Sequence, residues 1–207
     1  VYCAAHFAET RPEVLRDLIR LHPLGTIVTM GPDGLRADHV PCILEPEGPH
    51  GVLRAHVARA NPLWRDSSTE TDVLVVFQGP NHYITPSWYA TKHDTGKVVP
   101  TWNYMVVHAH GRLRVVDDAP WVHALVSRLT DRFESERAAP WKVSDAPEDF
   151  VVQQVRAIVG IEIPIARIEG KWKVSQNRTP ADRAGVTEGL RDLGADVMAQ
   201  EVEERGT

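Results

Sequence analysis

Between Lys97 and Arg114 the chain runs KVVPTWNYMVVHAHGRLR, and no other stretch restricts the possible folds as strongly. Taken at alternate positions, Asn103, Met105, Val107, Ala109, Gly111, Leu113 and Val115 form a mostly apolar set. The intervening Trp102, Tyr104, Val106, His108, His110, Arg112 and Arg114 bring rings, imidazoles and guanidiniums. A period of two belongs to a β-strand, whose side chains leave opposite faces in turn. A strand is therefore predicted from Thr101 to Val116. One face is set for a core, the other for a planar anionic ligand or a subunit interface.

Extended patterns recur along the chain. Leu24 to Met30 is apolar and β-branched, Gly31-Pro32-Asp33-Gly34 is a turn sequence, and Leu35 to Leu44 continues extended, so a hairpin is predicted. Further strands are predicted at 51–57, 72–78, 81–85 and 161–168. Thr10-Arg11-Pro12-Glu13 has the spacing of a capping box, and Val14, Leu15, Leu18 and Ile19 follow at helical intervals. Asn61-Pro62-Leu63-Trp64 predicts a helical turn capped by Asn61, and helices are expected over 118–136 and 147–159. From about Thr179 the residues become small and polar, which predicts a surface helix and then a loosely ordered tail. Many short strands, with helices only before and after them, predict a mainly β (α+β) fold: an antiparallel barrel with peripheral helices. The barrel domain is expected over 1–178 and the helix and tail over 179–207.

Composition excludes several classes. Apolar residues at 43% and charged residues at 25% suit a globular chain of 207 residues with a substantial core. No apolar run approaches a membrane span and no secretory leader is visible, so a cytoplasmic protein is expected. Cys3 and Cys42 have no ligand spacing and are expected to be free thiols. A formal charge of -5 disfavours a general nucleic-acid binder, whose affinity comes from Lys and Arg on phosphates. There is no Gly-rich dinucleotide fingerprint.

Some polar residues stand out. His39 shares a strand face with Leu35 and Ala37, and as an isolated histidine it is expected to be half-buried and bonded to a carbonyl. His56 lies where a strand hands over to the Asn61 turn; such a turn exposes backbone N–H groups to a phosphate, with Arg59 near, although a plain capping region reads equally well. His108 and His110 leave one side of a strand like a metal-ligand pair, but no acidic or third histidine partner is predictable, so a metal is disfavoured. Ser87 and Ser175 lack any triad context. The run Gly170-Lys-Trp-Lys-Val-Ser-Gln-Asn-Arg178 reads as a donor-rich loop after a strand, in which Trp172 could cover an aromatic ring or a phosphate.

These blocks resemble a family. Gly31-Pro-Asp-Gly34, Asp38-His-Val-Pro41, His56-Val-Ala-Arg-Ala-Asn-Pro62, Ser87-Trp-Tyr89, Lys97-Val-Val-Pro-Thr-Trp-Asn-Tyr104, His108, Gly111 and Gly170-Lys-Trp-Lys-Val-Ser-Gln-Asn177 are similar to PaiB-like proteins. Tyr2 and Phe7 match at the start, and the likeness covers roughly residues 1 to 190. These are FMN-binding negative transcriptional regulators on the split β-barrel of pyridoxamine 5′-phosphate oxidases and flavin reductases. Ala4 departs from the proline usual in the family.

The resemblance implies a homodimer with FMN at its interface. By motif position, Asp38, His39 and Val40 run beside the flavin, while His56, Ala58, Arg59 and Asn61 face its phosphate. Thr101, Trp102 and Asn103 line the ring, and Lys171, Lys173, Ser175 and Gln176 reach across from the other subunit. The implied activity is a flavin-dependent oxidoreductase or a flavin-linked regulator. Relatives on this barrel also bind heme b, including heme-degrading enzymes and piperazate synthase-like enzymes that form a nitrogen–nitrogen bond. Heme would need an axial imidazole, for which His39, His56, His108 and His110 are the candidates. Direct DNA binding is disfavoured, as no helix-turn-helix pattern is present.

Overall fold

A computed structural model describes residues 1–66 and 72–205. In chain order, the strands are β1 (Ala8–Glu9), β2 (Leu24–Gly31), β3 (Gly34–Pro41), β4 (Ile43–Glu45), β5 (Val52–Ala58), β6 (Val73–Ile84), β7 (Thr101–Gly111), β8 (Arg114–Val116) and β9 (Ile158–Lys173). The α-helices are α1 (Pro12–Leu21), α2 (Leu63–Asp66), α3 (Thr91–Thr95), α4 (Ala119–Glu134), α5 (Glu148–Arg156), α6 (Pro180–Asp192) and α7 (Asp196–Glu204). The strands hydrogen-bond in the order β3-β2-β6-β7-β9-β5-β4, and β1 and β8 each pair with β9. No helix among the described residues is long and apolar enough to cross a membrane.

The chain divides into two compact units. Unit 1 comprises Val1–Leu21, Gln78–His108 and Glu169–Thr207; unit 2 comprises His22–Phe77 and Ala109–Ile168.

Unit 2 is built on the expected hairpin. β2 and β3 pair from Leu24↔Pro41 to Gly31↔Gly34, and Gly34 takes a positive φ of 104° that closes the turn at no steric cost. Ile27, Val75, Phe77, Leu53, Ile161 and Ile163 are buried. α4 begins where Asp118 accepts the Trp121 N–H at 2.8 Å, then buries Leu125 and Leu129 against Ile43. Burying a leucine of this kind stabilises by roughly 1.5–3 kcal/mol. The extended segment predicted to reach Leu44 is interrupted at Cys42, whose N–H turns to the Pro23 carbonyl at 2.9 Å. Burial pushes the Cys42 thiol up to about 12, so it is an inert core residue.

Unit 1 gathers the two ends of the chain. α1 buries Leu15, Leu18 and Ile19, and β1 pairs with the end of β9 through Ala8↔Lys171 and Glu9↔Gly170. α6 starts at Thr179, whose hydroxyl accepts the Asp182 N–H at 3.2 Å. It packs closely on Trp88: a Cβ on Gly185 would come within 2.0 Å of the Trp88 carbonyl oxygen, and one on Gly189 within 2.2 Å of the ring. The predicted loose tail is instead α7, which buries Met198, Ala199 and Val202. Its stripe is short and built from modest residues, so it looked polar in the sequence.

Other boundaries also differ. The strands predicted at 72–78 and 81–85 are one, β6, because Gly79-Pro80 does not interrupt it. The strand predicted from Thr101 to Val116 ends at Gly111, where a Cβ would come within 2.1 Å of the Pro164 carbonyl oxygen, and resumes as β8. The last strand is twice the predicted length, so Lys171, Trp172 and Lys173 belong to β9 and not to a loop beyond it. At the start of α1, the Glu9 carboxylate takes the Arg11 N–H at 2.8 Å.

Candidate functional site

In unit 1 the Trp-Asn strand β7 comes together with the lysine-bearing end of β9 and the turn that follows it. Asn103 and Ser175, both buried, bond through Nδ2 to Oγ at 3.0 Å and Oγ to Oδ1 at 3.2 Å. Ser175 holds a left-handed φ of 67°, the one positive φ outside glycine among the described residues. Gln176 locks the same turn: its Oε1 accepts the Val174 N–H at 2.8 Å and its Nε2 donates to the Trp172 carbonyl at 2.6 Å. The polar side chains of this block therefore shape the turn, while the positive charge sits just before it at the end of β9, on a buried Lys171 and a half-buried Lys173.

Lys173 donates to the Thr101 hydroxyl and to the Trp102 carbonyl, the latter at 2.8 Å. Lys171 donates to the Tyr2 carbonyl at 3.0 Å and sits 5.3 Å from the Tyr104 ring centre. Arg178 lies over the Tyr89 ring at 4.4 Å. Among the described residues no carboxylate pairs with any of the three. Burial, and then the charges of Lys171 and Arg178, hold the Lys173 ammonium below its ordinary pKa. Beside this cluster Trp102 is 54% exposed and meets Tyr83 edge-on at 5.9 Å. An uncompensated cation cluster next to an open aromatic surface is chemically suited to a flat, anionic molecule.

In unit 2, Asn61 caps α2 as predicted, its Oδ1 accepting the Leu63 N–H at 2.8 Å. Its Nδ2 donates to Asp38 Oδ1, also at 2.8 Å, while Asp38 Oδ2 is enclosed with no hydrogen-bond partner. Arg59 grips Asp117 with two bonds of 2.9 and 2.6 Å and donates to the Arg156 and Ile158 carbonyls. The backbone N–H groups expected to face a phosphate are engaged: Arg59 N–H donates to Ala157 and Asn61 N–H to Ala58, each at 2.8 Å. Ala58 is exposed and Val40 buried.

The four candidate histidines have different surroundings. His39 is exposed, not half-buried, because β3 turns that face outward. His56 is mostly enclosed, its Nδ1 has no partner, and burial lowers its pKa. His108 and His110 are both half-buried on β7, and Glu169 brings a carboxylate oxygen within 4.8 Å of a His108 ring nitrogen. That acidic neighbour, 61 positions away in sequence, was not predicted. Trp172, read as a cover over a ligand, is instead a core residue at 2% exposure, with Arg205 5.1 Å from its ring. The sequence also missed the hollow beside His56, whose walls include Trp141, Phe150 and Gln154.

A nine-stranded sheet with this strand order and peripheral helices defines the split β-barrel class. The chain superposes on the flavocytochrome Anf3 from Azotobacter vinelandii with a TM-score of 0.59 at 16% identity, over 86% of this chain and 75% of that one. It superposes on the FAD and heme binding protein from Mycobacterium smegmatis with a TM-score of 0.58 at 16% identity, over 80% and 73%. At these identities the likeness establishes the fold. Residues 1–167 match the family described as "Putative FMN-binding domain", and the chain belongs to that family. It is 31% identical to the protease synthase and sporulation protein PAI 2 of Bacillus subtilis over 93% of this chain and 90% of the relative. It is 37% identical to an uncharacterized protein of Emericella nidulans over 100% and 98%.

Proposed function

We propose that the chain binds FMN as a homodimer and works as a flavin-dependent oxidoreductase. The observation that carries this reading is the set of unpaired cations at Lys171, Lys173 and Arg178 beside the exposed Trp102. A phosphate monoester brings nearly two negative charges and three acceptor oxygens, which these residues lack. Asp38 Oδ2, an enclosed acceptor without a donor, fits a ribityl hydroxyl or a ring N–H.

Asp38, His39, Val40, Ala58, Arg59 and Asn61 are proposed to contribute from one copy, whereas His56, expected from its motif to face the phosphate, lines the hollow with Trp141 and Phe150 and is left out of the flavin site. Thr101, Trp102, Asn103, Lys171, Lys173, Ser175 and Gln176 contribute from the other. Among these, Lys171 and Lys173 act by charge, Trp102 by its ring, and Asn103, Ser175 and Gln176 by holding the turn. Bound FMN would supply the electron-transfer chemistry, and the protein its position and electrostatic setting.

A second copy is supported by an apolar strip on unit 2. On one face of β2 and β3 the pairs Met30↔Leu35 and Val28↔Ala37 lie side by side, the polar pair Thr26↔His39 separates them from Leu24↔Pro41, and Leu35 is 75% exposed. Such a strip is costly to leave in water and suits an interface. Light scattering on the purified protein is expected to give a dimer, and Leu35→Lys to weaken it.

The absorbance spectrum of the purified protein, followed by FMN titration, tests the reading. Flavin absorbance, or saturable quenching of added FMN, is expected; neither appearing would overturn it. Heme is the second reading, favoured by the exposed imidazole of His39. A Soret band on adding hemin that vanishes in His39→Ala would put heme in place of the flavin. A regulatory role, which the resemblance to PaiB-like proteins implies, is proposed to be indirect, given the net charge of -5.

A further inference from the structure

We infer that the hollow beside His56 in unit 2 is a separate binding site for a small, neutral heteroaromatic molecule, and that it works without the flavin. α4, α5 and the segment between them wall a cavity of about 270 Å³ whose lining includes His56, Thr130, Trp141, Phe150, Gln154 and Val155. A second hollow of about 320 Å³ adjoins it and shares His56, Thr130 and Trp141.

Size, polarity and charge narrow the occupant. A cavity of roughly 150 Å³ holds benzene and drug-sized ligands start at roughly 300 Å³, so one or two fused rings fit. Trp141 is 47% and Phe150 51% exposed, an unusual allowance for large rings that line a concave surface and a ready face for stacking. His56 lines both hollows, and its enclosed Nδ1 has no partner, so a small turn of the ring offers a ligand a nitrogen that the fold has not used. No Lys or Arg lines either hollow. The carboxylate there, Glu134, already takes the Trp141 N–H at 3.1 Å and Arg137 at 3.1 Å. An anion would find no countercharge and a cation only an engaged one. Benzimidazole, with one N–H and one bare ring nitrogen, matches His56 in either tautomer.

Calorimetric titration with benzimidazole, against benzoate as an anionic control, tests the site in flavin-free and FMN-saturated protein. One-site binding is expected, equal with and without FMN, and about ten-fold or more weaker for benzoate. His56→Phe should weaken benzimidazole about ten-fold, and Val155→Trp, which fills the hollow, should abolish it while FMN still binds. If Val155→Trp fails to fold by circular dichroism, the imidazole ¹⁵N resonance of His56 in the unaltered protein reports occupancy and should move on addition of benzimidazole. The inference is overturned by no binding up to millimolar benzimidazole, by binding that Val155→Trp leaves intact, by an unmoved His56 resonance, or by binding that appears only with FMN.

Discussion

Lys173 in unit 1 and Arg59 in unit 2 are both cations set in motifs that suggested an anion site, and their chemistry is nonetheless opposite. Arg59 is on the surface with its charge met by Asp117 through a two-point grip, and its remaining donors go to carbonyls. Lys173 is partly buried, bonds only neutral oxygens and has Lys171 and Arg178 as like-charged neighbours. Basic residues in a motif do not by themselves mark an anion site; what matters is whether the fold has already neutralised them. By that criterion the end of β9 has unmet demand for an anion and the turn after β5 has little.

The largest effect should follow from reversing the unmet charge. Lys173→Glu is expected to weaken FMN at least about 100-fold, close to 3 kcal/mol, by flavin-fluorescence titration. Inorganic phosphate should raise the melting temperature of the unaltered protein and leave that of Lys173→Glu unchanged, since an anion relieves the repulsion only where the cations persist. The sign with pH follows from the lowered ammonium pKa: affinity is full while Lys173 is protonated and falls as pH rises through its folded value. That fall should come at a lower pH than an ordinary lysine would give. Affinity flat to pH 10 would show that Lys173 carries no part of the binding.

Unit 1 also contains a fully compensated charge, which makes the cation cluster more conspicuous. Burial pushes the Glu9 carboxyl up, but the Arg11 guanidinium and N–H and the Arg205 guanidinium outweigh it and bring the group to about 2. A depressed acid contributes stability that is present above its unfolded pKa near 4.5 and is lost as pH falls toward 2. Glu9→Gln should therefore cost about 2–3 kcal/mol at pH 7 in urea denaturation. The gap from wild type should close progressively below pH 4. A gap independent of pH would mean that packing, and not charge, holds α7 to β1.

Which parts were legible in the sequence depended on how local their causes are. The core face of β7 is visible because alternation is a property of consecutive residues, and Asn61 is visible as a cap because its partner Leu63 is two positions on. The KVSQN block was legible as a motif but not as a self-bonded turn, since Ser175 finds Asn103 across 72 positions. Trp172 between two lysines read as a cover over a ligand; it is instead buried at the end of β9, where its neighbours in space come from the first and last segments of the chain. The hollow at His56 had no sequence signal, because Trp141 and Phe150 lie in two unremarkable segments that only tertiary packing turns toward one imidazole.

The turn itself offers a smaller effect. Ser175→Ala removes the bond to buried Asn103 while keeping a left-handed backbone that alanine dislikes, so a loss of about 1–3 kcal/mol is expected in thermal unfolding. Ser175→Gly loses the same bond but relaxes the backbone, and should be the less damaging of the two. If the glycine variant proves worse, the left-handed backbone is not what makes alanine costly at this position, and that part of the account of the turn fails.

The smallest effect, and the one that most directly tests the contrast, belongs to Arg59. Because Asp117 already occupies the guanidinium, Arg59→Ala should weaken FMN only about three-fold, far less than Lys173→Glu. Asp117→Asn should go the other way, since it releases the guanidinium toward any nearby phosphate and strengthens FMN by a similar small factor. Neither change should move the melting temperature much, as exposed ion pairs contribute little. Should Arg59→Ala cost more affinity than Lys173→Glu, the Asp117 pair gives way on binding. The turn after β5 would then be the phosphate site, and the cations at the end of β9 would not.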